Sequence, residues 1–347
     1  MAPDVKDWAV AALTTRGIRG LYRPWTLRRT PIFMLHRFTE EEGVPGWVSR
    51  RLLEKCAEWI ARSGLRPVTL AEWCRSAAAG DWPTRSICLT VDDGYLDFKE
   101  VAFPVLREHG IPATVFVASR FIDGDLWYWW DRVDFAFART TRSELVLRFP
   151  GGPFRLEWTS ASERMAACGA LTEALKTVPE DTKLSLIREI ERQFEIELPE
   201  RPIGEYKGMS WDDLRELTAQ GIEFGGHTAN HPVLSQVSDD RAAREVAEGI
   251  ETIERRTGMR PTTFAYPNGR MIDFTPAVVR ALRENGIVGA VLGMGGVASP
   301  KFLAGGPDAM YRIPRLAMPD DFSRFVQFAC GLEAFKQDLR TLIGSDN

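Results

Sequence analysis

Ser86-Ile87-Cys88-Leu89-Thr90-Val91-Asp92-Asp93-Gly94 carries a stretch rich in apolar and β-branched residues straight into two adjacent carboxylates and a glycine. A short run of that kind, bounded by a turn residue, reads as a buried strand. Residues 99–109 then read as a helix closed by Gly110, and residues 113–118 (ATVFVA) as the next buried strand. Strand, helix, strand in that order is a βαβ unit, which demands a parallel sheet and an α/β fold. Upstream, residues 31–35 form a strand ending at His36, residues 51–63 a helix stopped by Gly64, and residues 70–79 a second short helix. Downstream the alternation resumes: helices over 211–219, 239–257 and 276–285, and strands over 222–226, 263–266 and 287–292. A long helix is expected between residues 321 and 343.

Between the two runs the pattern changes. Residues 121–205 hold an aromatic cluster (Trp127, Tyr128, Trp129, Trp130), a hairpin turning on Pro150-Gly151-Gly152-Pro153, and two polar amphipathic helices near 161–177 and 181–194. This division makes 121–205 an α+β insertion in a discontinuous domain of residues 31–120 and 206–347, preceded by a basic segment, 1–30. The aromatic cluster either forms a substrate wall beside the barrel or anchors the insertion by burying large rings.

Composition narrows the function classes. The 347 residues are 44% hydrophobic and 27% charged, with a net charge of −4. That is ordinary for a globular protein and lacks the basic footprint of a nucleic-acid binder. Five scattered cysteines without C-x-x-C spacing read as reduced thiols in a reducing compartment, and no stretch has the length of a membrane span. A cytoplasmic location is therefore expected. In residues 1–30, Trp8, Leu13, Ile18 and Tyr22 alternate with Lys6, Arg16, Arg19 and Arg23. Such a segment either packs as a helix on its own domain or lies peripherally on an anionic membrane surface, here the inner face.

Two adjacent carboxylates at the C-terminal end of a parallel strand sit where α/β folds place their chemistry. A turn that merely caps a helix is the alternative. His227-Thr228-Ala229-Asn230-His231 follows the strand at 222–226 and places two of the chain's four histidines four residues apart. On one helical turn they would face the same way and suit a divalent ion. One Asp and two His leave an open coordination position, the shape of a catalytic zinc site. A metal so held lowers the pKa of bound water to about 7, and the second carboxylate can serve as general base. Hydrolysis of an amide or ester follows.

Thr90-Val91-Asp92-Asp93-Gly94 and His227-Thr228-Ala229-Asn230-His231 resemble the first two motifs of the polysaccharide deacetylases (carbohydrate esterase family four). Phe264-Ala265-Tyr266-Pro267-Asn268-Gly269 resembles the third. The resemblance implies a distorted (β/α) barrel, usually of seven strands, with Asp92 as general base and Asp93, His227 and His231 as ligands of Zn2+, Co2+ or Ni2+. It implies a carbohydrate or glycolipid substrate, with Tyr266 and Pro267 lining the acetyl pocket.

The late histidine that most members use as general acid is absent, since no histidine follows His231. His36, in Ile32-Phe33-Met34-Leu35-His36-Arg37, resembles the Met-x-His segment of a subgroup acting on exported poly-N-acetylglucosamine. It is the candidate general acid, with a core histidine as the alternative. His109 reads as structural. Arg315, in Tyr311-Arg312-Ile313-Pro314-Arg315, either pairs with Asp92, contacts substrate or lies on the surface. Trp130 is a candidate substrate contact, and Asp97 either supports the Asp92-Asp93 loop or is an exposed helix-start acid. The expected function is removal of N-acetyl groups from an amino sugar; a metal amidohydrolase acting on a non-sugar amide is the alternative.

Overall fold

The computed structural model describes residues 27–293 and 295–332. Barrel strands are β1 (Ile32–Leu35), β2 (Ser86–Val91), β3 (Thr114–Val117), β4 (Glu223–Gly226), β5 (Thr263–Ala265), β6 (Gly289–Val291) and β7 (Leu316–Ala317). They lie side by side in the order β6-β5-β4-β3-β2-β1-β7, and every pairing along that path is parallel. The segment 313–317 closes the ring. Ile313 donates to the Ala290 carbonyl (2.9 Å) and accepts from Leu292 N (2.8 Å), while Leu316 and Ala317 pair with β1. The result is a distorted seven-stranded (β/α) barrel. All six residues of β2 are buried, as a strand covered on both faces must be.

Local chemistry explains the outer helices. The first, α1 (Arg50–Ser63), starts where Ser49 Oγ accepts Leu52 N–H and stops at Gly64, which takes φ 75°, a left-handed cap that glycine adopts without strain. The helix expected over 99–109 instead opens as a π-helical turn, Phe98–Ala102, before a short α-helix, Phe103–Glu108. Pro104 has no N–H to continue a regular i→i−4 ladder, so the register slips at that point.

The elements between β3 and β4 include an antiparallel hairpin, Glu144–Phe149 with Gly152–Glu157, and the helices α2 (Trp129–Arg139), α3 (Ala161–Leu175) and α4 (Glu180–Phe194). Val133, Leu145, Leu171, Ile187 and Ile190 close an apolar cluster of their own there. Helix α2 was not anticipated. Its Val133, Ala136 and Phe137 do repeat at helical spacing, but the preceding aromatic run obscured the period.

The single long helix expected between residues 321 and 343 is not observed: the helix Phe322–Ala329 ends at Cys330, and Gly331 takes φ 80°, a left-handed conformation that breaks it; residues 333–347 lie outside the described residues. So does the basic segment as far as residue 26. Its end, Thr30, is buried, donates its N–H to the Ala298 carbonyl (2.8 Å) and accepts Trp73 Nε1–H on Oγ1 (2.9 Å). Among the described residues no helix is long and apolar enough to cross a membrane.

Candidate active site

The C-terminal ends of the strands converge on one cavity of about 810 Å³. His36 follows β1, Asp92 and Asp93 follow β2, His227 and His231 follow β4, Tyr266 follows β5, and Arg315 precedes β7. Two tight backbone arrangements aim these side chains. Asp93 takes φ 75° and Gly94 φ 86°; a Cβ on Gly94 would lie 2.8 Å from Val117 Cγ1. The histidine pair does not lie on a helical turn as the spacing suggested. Thr228 and His231 have φ 68° and 58°, and Pro232 steers the residue before it away from the right-handed helix. That irregular loop is clamped: Thr228 Oγ1 accepts His231 N–H (2.8 Å), and buried Glu245 accepts Asn230 N–H (2.8 Å) and Nδ2–H (3.1 Å).

Asp93 Oδ1 stands 3.5 Å from His227 Nε2 and 3.6 Å from His231 Nε2, and the two imidazole nitrogens are 3.0 Å apart. All three side chains are buried. His227 Nδ1 lies 2.7 Å from the Ala265 carbonyl. That carbonyl can only accept, so Nδ1 carries a proton and Nε2 is the ring atom turned to the centre. Burial, and next the neighbouring His227, push His231 down to about 3, whereas for His227 burial is outweighed by the hydrogen bond to Asp93 and the charges of Asp92 and Asp93, which hold it above the ordinary imidazole value. A tetrahedral ion with bonds near 2.0–2.1 Å separates its donors by roughly 3.3 Å, close to the three observed distances. The donor set therefore fits a divalent ion such as zinc, cobalt or nickel.

Asp92 is engaged differently. Arg315 reaches it with a two-pronged pair, Nη1 to Oδ1 at 2.6 Å and Nη2 to Oδ2 at 2.7 Å, and also donates to Thr90 Oγ1 and the Leu292 carbonyl. Burial opposes a charge on Asp92. The charge and hydrogen bonds of Arg315, aided by His36 and His227, outweigh that and hold it well below the usual carboxylate range. Arg315 thus pairs with Asp92 and, with its side chain wholly buried, is no surface residue; it also borders the cavity. His36 Nε2 lies 3.8 Å from Asp92 Oδ2 with the side chain 42% exposed, which overturns the core-histidine alternative.

The remaining candidates lie as follows. Tyr266 borders the cavity, but its hydroxyl donates to the Tyr311 carbonyl (2.9 Å) and its ring stacks on Phe274. Pro267 is absent from the lining: its carbonyl accepts Gly269 N–H in the turn, and Asn268 borders the cavity instead. Trp130 lines the cavity, stacks on Tyr128 and meets His231 edge-on. Its neighbours Trp127, Tyr128 and Trp129 are buried anchors, and Tyr128 donates its hydroxyl to the Asp93 carbonyl (2.8 Å). Asp97 is not an exposed helix-start acid. It accepts Arg37 Nε–H at 2.6 Å, and burial pushes it up to about 6 against the attraction of Arg37. His109 caps the helix Phe103–Glu108, as a structural residue would.

Residues the sequence left unassigned complete the cavity: Arg37, between the Trp47 and Tyr95 rings, and Asp131, Asp134 and Glu205. Asp131 could have been flagged, since an acid directly after four aromatics is an unusual neighbour for a buried cluster.

The sequence model of the polysaccharide deacetylases matches residues 79–153 and 200–290, a span that contains the Asp93, His227, His231 triad. A putative polysaccharide deacetylase of Bacillus subtilis, YxkH, is 27% identical over 95 residues, which is 27% of this chain and 33% of that protein. The aligned stretch thus spans about a third of that relative. Solved structures share the fold. The Streptococcus pyogenes deacetylase PplD in complex with acetate aligns at TM-score 0.58 and 16% identity, covering 88% of this chain and 99% of that one. IcaB from Ammonifex degensii aligns at TM-score 0.56 and 18% identity, covering 87% and 97%. By its match to that family's sequence model, this chain belongs to the polysaccharide deacetylase family.

Proposed function

We propose that the protein is a metal-dependent hydrolase that removes N-acetyl groups from an amino-sugar polysaccharide, glycolipid or glycoside. One observation carries the reading. Three buried metal-type ligands stand beside a separate carboxylate, fixed by a two-pronged arginine, on the wall of a cavity large enough for a sugar. Asp93, His227 and His231 would hold the ion, whose chemistry is to acidify water and polarise the acetamide carbonyl.

Asp92 serves as the base. Its low basicity in the resting pair keeps it ionised, and Arg315 fixes its plane so that one oxygen can take the water's proton. Attack on the acetamide carbonyl then breaks the C–N bond as the nitrogen gains a proton. His36, exposed to the cavity beside Asp92, delivers that proton to the leaving amine. Products are acetate and a free amino sugar. Residues 121–205 act as an insertion lying over the barrel mouth, supported by Trp130 and helix α3 on the cavity wall. The basic segment 1–30 supports a further reading, docking on the inner membrane face beside a sugar assembled in the cytoplasm. Flotation with anionic liposomes, with and without residues 1–30, tests it; equal flotation removes it.

Acetate release from N-acetylglucosamine oligosaccharides and lipid-linked N-acetylglucosamine tests the reaction, with Asp92→Asn beside the wild type. Release by the wild type and its loss in Asp92→Asn is the expected result. A metal-bound wild type inert on every amino sugar but active on a simple anilide would favour the non-sugar amidohydrolase.

A further inference from the structure

Two of the three clustered ligands sit on backbone that residues other than glycine rarely adopt: Asp93 at φ 75° and His231 at φ 58°. Such conformations persist only where neighbouring groups over-determine them. Both ligands meet the same side chain. Tyr128, 1% exposed, donates its hydroxyl to the Asp93 carbonyl (2.8 Å), and its ring meets the His231 imidazole edge-on, with centroids 5.3 Å apart. A donor fixed on that carbonyl holds the peptide plane beside the carbon from which the Asp93 carboxylate projects.

Tyr128 is itself tightly held. Its ring stacks on Phe121 (4.2 Å, 29°) and on Trp130 (4.5 Å, 12°). Trp130 Nε1–H donates to the Tyr95 hydroxyl (2.9 Å), which donates in turn to Asp131 (2.8 Å). Phe121 presses on Gly208, where a Cβ would lie 2.8 Å from its ring. Residues 207–209 are laced to the loop after Asp93: Leu96 N–H donates to the Lys207 carbonyl (2.9 Å) and Met209 N–H to the Gly94 carbonyl (3.0 Å). The stack has little room to shift, so it can impose a geometry on the ligands it touches. Phe121, Tyr128 and Trp130 belong to the segment between β3 and β4, and none of them is one of the three clustered ligands. What they contribute is orientation. Groups that orient metal ligands from outside are a known determinant of metal affinity.

Resting on the metal-dependent reading above, we propose that Tyr128 is a positioning residue for the ion site. Its hydroxyl and ring preset Asp93 and His231, so the segment between β3 and β4 completes the metal centre although it supplies no ligand.

The test measures zinc affinity by competition with a chromophoric chelator, and Tm of the metal-free protein, on the full chain. Tyr128→Phe keeps the ring and deletes the donor. It should weaken zinc binding at least about tenfold, the usual effect of losing such a partner, while the metal-free Tm falls by no more than about 4 °C. Leu171→Ala empties space in the apolar cluster between β3 and β4 without touching a ligand. It should lower Tm further and leave zinc affinity within about threefold of the wild type. Equal affinity in Tyr128→Phe and wild type overturns the proposal. So does an equal loss in Leu171→Ala, because the effect is then a general loosening of the segment. A wild type that binds no zinc shows that the metal-dependent reading has failed, and the proposal falls with it. Coupling between two sites is reciprocal, so the wild type supplies a second readout should Tyr128→Phe not fold. Zinc should slow amide hydrogen exchange along α2, which Tyr128 caps, as well as in the ligand loops; slowing confined to the ligand loops overturns the role of Tyr128.

Discussion

Arg315→Met removes a side chain that is wholly buried against an Asp92 only 5% exposed. Methionine fills much of the stem volume but donates none of the four hydrogen bonds Arg315 makes, two to Asp92 and one each to Thr90 Oγ1 and the Leu292 carbonyl. Breaking a buried ion pair by deleting one partner costs about 3–5 kcal/mol, because the remaining charge stays desolvated. For a chain of this size that lowers Tm by roughly 4–7 °C. Asp92 can relieve the cost only by taking up a proton, and a protonated Asp92 cannot act as base. Turnover should therefore fall by about 10²-fold or more, the usual contribution of general-base catalysis. Arg315→Lys keeps the charge but not the planar fork, and should lie between wild type and Arg315→Met in both respects. Scanning calorimetry and acetate release on the same preparations read the two quantities. An Arg315→Met protein with wild-type Tm and turnover would refute the assignment of Arg315 as the residue that positions Asp92.

Further outcomes are expected at other positions. His36→Ala should lower turnover by about 10²-fold while metal content stays at the wild-type level, since His36 is not one of the three clustered ligands; retained turnover rejects its role as acid. Gly94→Ala, at φ 86° and with its Cβ driven onto Val117, should destabilise by about 1–3 kcal/mol, read from urea denaturation. Burial, with the charge of Asp134, pushes the half-buried Cys168 thiol up to about 12. Alkylation by iodoacetamide at pH 8 should thus run at least about tenfold slower than for free cysteine, whose thiol titrates near 8.5; equal rates contradict it.

Six of the seven barrel strands were legible because each is a short apolar run followed by a polar residue or glycine, a local signal; the strand Leu316–Ala317 was not. The seven-strand count came from family resemblance rather than from periodicity, and closure through 313–317 rests on pairings such as Ile313 with Val291 that no local pattern announces. The same distinction holds within the site. Asp92-Asp93 and His227-x-x-x-His231 could be read because each is contiguous. The Asp92–Arg315 pair joins residues 223 positions apart, so the sequence offered pairing only as one alternative. Thr228 and His231 in left-handed conformations defeated the helical-turn expectation because their geometry is set by Glu245 and Pro232 rather than by intrinsic preference.

The most direct test of the metal-centred reading measures bound metal per chain and acetate release on the same samples. Wild type, Asp93→Ala and His227→Ala would be assayed as purified, after chelation, and after return of zinc or cobalt. The expected result is one equivalent of metal in the wild type, little in either variant, and acetate release that disappears with chelation and returns with the ion. Acetate release that survives complete metal removal, or variants that bind metal as the wild type does, would contradict the assignment of Asp93, His227 and His231.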